Sequence, residues 1–296
     1  MKDLLVRTRT FTMLTSRLVV MALFAALLCA VPSQAALAAE GAPDLGTAGS
    51  FAVLAGTAVT CTTSNIIGDV GVATGIAVTG CTTGTIHLGD SVAQQAYADF
   101  LTSYATFPSV PCDTTLTGDL AGLVLKPGVY CIDAASTTTG GVLTLKGPKN
   151  GIWIFKIGTS GTGALTGTNF NVVMDGAGQA CNVYWWVAQA ATLTDSNFLG
   201  TILAGADITV TRGTFNGDAL AGGTGTTEVP TGAVTLTNTA LTACELAGNQ
   251  RRPGCNQGVG NGPEGCDPGN SNNHNPSNDE LGGTPGNPGR KGGNGK

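Results

Sequence analysis

Four strings in the second half of the chain share one alternation: ALTGTNFN (164–171), TLTDSNFLGTILAGAD (192–207), TVTRGTFNGDALAGG (209–223) and TLTNTALTAC (235–244). A small or hydroxyl residue, an aliphatic one and a threonine follow each other, and turn residues come next. Alternation with period two marks a strand with one buried face, so Leu or Val is predicted inward and the small residues outward. Thr194 and Thr211 stand 17 positions apart, and the insertion TGTTEVPT (224–231) accounts for the longer gap to Thr237. The first half repeats the pattern in AVTCTTSNIIGDVGV (58–72) and AVTGCTTGTIHLGD (77–90), with Thr60 and Thr79 19 apart. A repeat of this length is one coil of a three-sided β-solenoid whose short strands are joined by tight glycine turns. The expectation is a mainly β chain whose outward grid pairs Ala58 with Thr60, Ala77 with Thr79, Ala164 with Thr166, Thr192 with Thr194, Thr209 with Thr211 and Thr235 with Thr237.

One segment breaks the strand pattern. DSVAQQAYADFLTSYATF (90–107) places Val92, Ala96, Phe100 and Tyr104 at fourfold spacing, beside Ala93, Tyr97 and Leu101. This predicts one amphipathic helix packed along the solenoid, with Ser91 and Gln94 as a capping box. GIWIFKIG (151–158) and ACNVYWWVAQ (180–189) are continuous apolar runs and read as strands buried on both sides, with Trp153, Trp185 and Trp186 in the core. At the N-terminus, Lys2, Arg7, Arg9 and Arg17 precede the apolar run 18–31, and small residues follow. Residues 1–39 are therefore predicted to be an export signal, the run being short for a membrane span. Residues 40–245 form the folded body. Residues 246–296, rich in Gly, Asn and Pro, have too few apolar side chains to fold alone.

Composition narrows the function. Only 11% of the 296 residues are charged and 45 are glycine, which excludes a helical bundle and a charge-rich disordered chain. The net charge is −5, and the body's cations (Lys126, Lys146, Lys149, Lys156 and Arg212) are scattered, so nucleic acid is not an expected partner. Nor is a membrane, once the signal is removed. Beyond Cys29 the chain carries Cys61, Cys81, Cys112, Cys131, Cys181, Cys244, Cys255 and Cys266. Eight cysteines without a CxxC pair in an exported chain read as disulfides rather than a metal site, and 105 pairings are open. Cys61 and Cys81 occupy nearly equivalent places in neighbouring repeats. Catalytic signals are lacking: His87 is the body's single histidine, no GxSxG occurs, and the aspartates sit beside glycines in turn contexts. A calcium-dependent polysaccharide lyase on a solenoid needs clustered aspartates with a basic catalyst, whereas Arg212 has no aspartate cluster near it in sequence. No enzyme activity, cofactor or metal is expected.

The outward threonines suggest a ligand. Coils stack at about 4.8 Å, and alternate residues along a strand lie roughly 6.6 Å apart, so the grid is flat, regular and uncharged. Threonine is stiff at χ1, which pre-organises the array. Such a surface suits a repetitive uncharged ligand, and an ice crystal plane offers oxygens at comparable spacings.

Seven segments in order support that reading by resemblance: LGTAGSFAVLAGTAVT (45–60), GDVGV (68–72), TGDLAGLVLKPGVY (117–130), IWIFKIG (152–158), ACNVYWWV (180–187), FLGTILA (198–204) and GAVTLTNTAL (232–241). Through them the body resembles the microbial ice-binding-protein-like family. The resemblance implies a right-handed β-solenoid with one helix alongside, and secretion or retention at the cell surface. It implies an ice crystal surface as partner of a monomer, and inhibition of ice growth and recrystallisation. A cell-surface adhesive module on the same solenoid is the alternative. The family's Thr-Ala/Gly-x-Thr/Asn motif is matched by Thr57–Thr60, Thr79–Thr82 and Thr166–Asn169. Thr194–Asn197 and Thr211–Thr214 depart at the second position, and the segment from Thr237 departs at the second and fourth. The implied ice-binding residues are Thr57, Thr60, Thr79, Thr82, Thr166, Asn169, Thr192, Thr194, Asn197, Thr209, Thr211, Thr214, Thr235 and Thr237.

Overall fold

A computed structural model describes residues 43–244 except Ile76, so the export signal read at 1–39 and the tail read at 246–296 lie outside the described residues. The described chain is a parallel β-solenoid with one α-helix. Numbered in chain order, one sheet runs β5 (Ile86–Leu88), β3 (Asp69–Val72), β1 (Phe51–Ala55), β18 (Ala219–Ala221), β16 (Thr201–Ala204), β14 (Val183–Val187), β11 (Trp153–Ile157), β8 (Gly128–Ile132), β6 (Thr114–Thr115). The other runs β4 (Ala77–Thr82), β2 (Ala58–Ile67), β19 (Ala233–Thr242), β17 (Ile208–Asn216), β15 (Ala191–Leu199), β13 (Asn171–Gly176), β10 (Val142–Gly147), β7 (Val124–Leu125). Two more strands, β12 (Leu165–Thr168) and β9 (Ser136–Thr139), extend it beside β15. The long strands of this second sheet bend midway, which makes the coil three-sided.

Spatial order is not chain order. β1 lies against β18 and β2 against β19, so the first coils of the chain stack on its last ones. Helix α1 (Ser91–Thr106) then carries the chain from β5 toward the opposite end. Its sixteen residues span about 24 Å, the same length as the five strand spacings of about 4.8 Å that separate β5 from β14. At its last turn Tyr104 meets Trp186, with ring centroids 5.3 Å apart.

The central strands of the first sheet are buried on both sides, which explains their continuous apolar runs. Trp153, Phe155, Val183 and Trp185 point into the solenoid. Ile154, Tyr184, Trp186, Leu203 and Leu220 point out, under the helix face made by Ala96, Tyr97, Phe100 and Tyr104. Inside, Phe155 and Trp185 stack at 4.0 Å and 10°, Trp185 meets Phe198 at 4.8 Å, and Phe198 meets Phe215 at 5.7 Å. Successive rungs thus place aromatic rings in register down the core, in the offset and edge contacts such rings favour.

Two details of the helix differ from the sequence reading. Val92 is 40% exposed rather than part of the buried stripe. The N-cap is Asp90, whose carboxylate accepts from the Ala93 N–H at 2.8 Å while its other oxygen sits 2.8 Å from His87 Nδ1. A carboxylate there satisfies the helix N-terminus and pairs with its dipole better than the Ser91 hydroxyl. At the far end Lys156, almost fully buried, donates to the carbonyls of Pro108 (3.0 Å) and Val110 (2.6 Å). Burial pulls its pKa below the ordinary lysine value.

Two disulfides bind the ends of the stack. Cys61–Cys81 ties β2 to the edge strand β4, and Cys112–Cys131 ties the segment before the edge strand β6 to β8. Edge rungs have one neighbour instead of two, so they fray most readily. Cys181 is buried, and its thiol donates to the Cys244 carbonyl at 3.0 Å.

Candidate binding face

The second sheet turns at one residue per rung. Thr63, Asn169, Asp195, Arg212 and Asn238 have φ between 49° and 58°, and Gly80 has 69°. A single left-handed residue in an extended strand bends it, and Asn, Asp and Gly accept that geometry more readily than other residues. Thr63 and Arg212 accept it at a cost of about 1–2 kcal/mol each.

Each turn has the same local grammar. The residue before the left-handed position points outward, the one after it inward, and the next outward again. This places Thr62-Thr63-Ser64-Asn65, Thr168-Asn169-Phe170-Asn171, Thr194-Asp195-Ser196-Asn197, Thr211-Arg212-Gly213-Thr214 and Thr237-Asn238-Thr239-Ala240 in equivalent positions. On the edge strand β4 the turn is two residues shorter: Thr79 pairs with Thr60, and Cys81 and Thr82 align with Ser64 and Asn65. Buried hydroxyls repair the ladder that the bend interrupts. Ser196 Oγ donates to the Thr194 carbonyl (2.8 Å) and accepts from the Phe170 N–H (3.1 Å). Ser64 Oγ does the same between the Thr62 carbonyl (3.1 Å) and the Thr239 N–H (3.1 Å). Where Gly213 occupies the inward site, a Cβ would stand 2.0 Å from the Ser196 carbonyl, so no side chain fits.

On one side of the bend lie two straight columns of threonine. Register fixes the first as Thr137, Thr166, Thr192, Thr209, Thr235, Thr60 and Thr79. The second is Thr139, Thr168, Thr194, Thr211, Thr237 and Thr62. All are exposed or half-buried, and the inward residues between them (Leu193, Val210, Leu236) are buried. Six steps of about 4.8 Å give a face roughly 29 Å long, with columns about 6.6 Å apart. Among the described residues, none of these thirteen hydroxyls is hydrogen-bonded to another protein group. Threonines elsewhere, such as Thr57, Thr201 and Thr239, are tied to backbone or carboxylate.

Beyond the bend, three neighbours in the next outward column are bonded to one another. Asn197 Nδ2 donates to Asn171 Oδ1 and Thr214 Oγ1 donates to Asn197 Oδ1, both at 2.8 Å. The bend itself carries the two charges. Arg212 Nε and one terminal nitrogen meet Asp195 Oδ1 and Oδ2 at 2.5 and 2.7 Å. The Arg212 hydrogen bond holds the Asp195 carboxyl below its usual pKa, and Asp195 raises that of Arg212. Arg212 therefore finds its aspartate one rung away.

Of the residues singled out from sequence, Thr60, Thr79, Thr166, Thr192, Thr194, Thr209, Thr211, Thr235 and Thr237 stand in the two columns. Thr82, Asn197 and Thr214 stand in the column beyond the bend. Thr57 stands in neither: it lies in the turn between β1 and β2, where its N–H and hydroxyl both donate to the Gly232 carbonyl at 3.0 Å. Asn169 occupies a left-handed corner rather than an outward column. The expected grid was also two residues out of step: Thr60 stands beside Thr235, not at the level of Thr237, and Thr166 beside Thr192. A slip of two preserves which residues face outward, so alternation alone does not detect it. The slip hid Thr62, Thr168 and the whole rung of Thr137 and Thr139. A readable signal was the Asn, Asp or Gly that follows the second-column threonine on four of its six rungs: Gly140, Asn169, Asp195 and Asn238.

Stacked parallel coils, one covering helix and an uncharged threonine face define a β-solenoid with a regular, exposed array along one side. Comparison with known proteins names the kind: the chain belongs to the ice-binding-like family, whose model matches residues 53–242. It is 40% identical over 210 residues to an ice-binding protein of Nostoc sp., spanning 68% of this chain and 74% of that one. It is 33% identical over 206 residues to ice-binding protein K3-B1 of Typhula ishikariensis, spanning 60% and 83% of the two chains. Among solved structures it is similar to the ice-binding protein of the Antarctic ascomycete Antarctomyces psychrotrophicus, with a TM-score of 0.59 and 31% identity over 68% of this chain and 98% of that one.

Proposed function

We propose that this protein is exported through the segment 1–39 and adsorbs to ice as a monomer through its two threonine columns, without catalysing a reaction. The observation that carries this is the set of thirteen uncommitted hydroxyls on seven stacked rungs. Each methyl orders the water beside it and each hydroxyl is free to bond into that water, on a surface whose repeat is held by the backbone ladder. No charged side chain stands in either column, so docking against ordered water displaces no tightly held ion hydration shell. Stiff χ1 angles keep the entropic cost of adsorption low. Molecules pinned on a growing crystal force its front to curve between them, which inhibits growth and recrystallisation. Relatives named for binding ice support the same reading.

Recrystallisation inhibition by the purified protein tests it, with Thr194→Tyr and Thr211→Tyr as variants that break the plane. Wild type is expected to hold ice grains small at micromolar concentration and the variants to lose this. Wild type that leaves grain growth unchanged refutes ice binding and favours a surface-adhesive role.

A further inference from the structure

The bend between the threonine face and the next face is a ridge lined by exposed side chains, and on the two central rungs those side chains are Asp195 and Arg212. Of the seven rungs, β15 and β17 are the third and fourth, so these charges sit midway along the array. Each is the immediate sequence neighbour of a second-column threonine, Thr194 or Thr211. An isolated charge here would hold its own hydration shell beside water that the threonines have to match. The geometry removes that conflict: both carboxylate oxygens are engaged by the guanidinium fork, at 2.5 and 2.7 Å. A bidentate pair presents a compact dipole in place of two monopoles. Both side chains are about half exposed, at 54% and 46%, and such a pair adds little to folding stability.

We propose that the Asp195–Arg212 pair is a neutralising clamp that keeps the centre of the threonine face able to adsorb, so that affinity for ice depends on both partners being present or both absent. The clamp rests on the ice-binding reading and adds to it a determinant of affinity outside the threonine columns. Losing Asp195 leaves a naked guanidinium on the ridge, and losing Arg212 leaves a naked carboxylate. Losing both leaves a neutral ridge like its neighbours Asn169 and Asn238.

The test is partition of the purified full chain into slowly grown ice at neutral pH and low salt, for wild type, Asp195→Asn, Arg212→Gln and the double variant. Thermal unfolding is measured in parallel. Each single variant is expected to need about tenfold more protein for the same partition, and the double variant to return to within about twofold of wild type. Melting temperatures are expected to stay together, so a loss that tracks unfolding would mark a structural role and overturn the proposal. Single variants equal to wild type, or a double variant no better than the singles, overturn it as well while leaving ice binding intact. Wild type that stays wholly in the liquid refutes ice binding itself, and the clamp with it.

Discussion

Ser196→Ala removes one oxygen from the inside of a bend. Ser196 is 1% exposed, donates to the Thr194 carbonyl at 2.8 Å and accepts from the Phe170 N–H at 3.1 Å. The left-handed residues Asp195 and Asn169 interrupt the ladder at this level, so strand pairing offers the Phe170 N–H no substitute. Deletion leaves a buried donor unsatisfied, at a cost of about 1–3 kcal/mol. The lost bond to the Thr194 carbonyl adds about 1 kcal/mol. The sum is roughly 2–4 kcal/mol, a large share of the stability of an ordinary domain. Urea unfolding followed by tryptophan fluorescence reads it, since Trp185 packs against Phe198 two residues along the same strand. Thr192→Ala, four positions away in that strand, is the control: its hydroxyl is exposed and uncommitted, and its removal is expected to change stability by less than about 0.5 kcal/mol. If Ser196→Ala costs no more than Thr192→Ala, the inward hydroxyls do not repair the bends and the account of the corner is wrong.

Position along the array should grade the effect of bulk. Thr209→Tyr on the central rung is expected to abolish recrystallisation inhibition, while Thr137→Tyr on the edge rung leaves six rungs flush and a weaker defect; equal losses would show that contact is not shared along the columns. Replacing Cys61 and Cys81 together with serine opens a loop with a sequence separation of 20 and is expected to cost about 3 kcal/mol in calorimetry. Hydrogen exchange should place the new fraying in β4, and uniform loosening would contradict the end-staple role. Burial pushes the Tyr104 phenol to about 12. Its folded pKa exceeds the unfolded value near 10, so its stabilisation is complete below pH 10 and is lost as pH rises from 10 through 12. The loss is about 3 kcal/mol, and Tyr104→Phe should flatten that part of the pH profile of the urea midpoint; an unchanged profile would reject the assignment.

Much of this protein was legible in its residues. Alternation assigned Leu193, Val210 and Leu236 inward and their threonine neighbours outward, because a pleated backbone has period two whatever it packs against. Continuous apolar runs marked Trp153–Ile157 and Val183–Val187 as strands covered on both sides, and a fourfold stripe marked the helix that covers them. Cys61 and Cys81, at matching places in neighbouring repeats, are indeed bonded.

Register, stacking order and electrostatic pairing were decided only by the fold. A two-residue slip changes no inward or outward assignment, so Thr60 found its partner Thr235 only through the left-handed corners at Thr63 and Asn238. Nothing local reveals that β1 closes on β18, since that contact joins segments more than 160 residues apart and depends on the helix spanning five rungs. Arg212 and Asp195, 17 positions apart, read as two stray charges along the chain. One coil of backbone brings them together, because a solenoid turns sequence distance of one repeat into the separation of neighbouring strands.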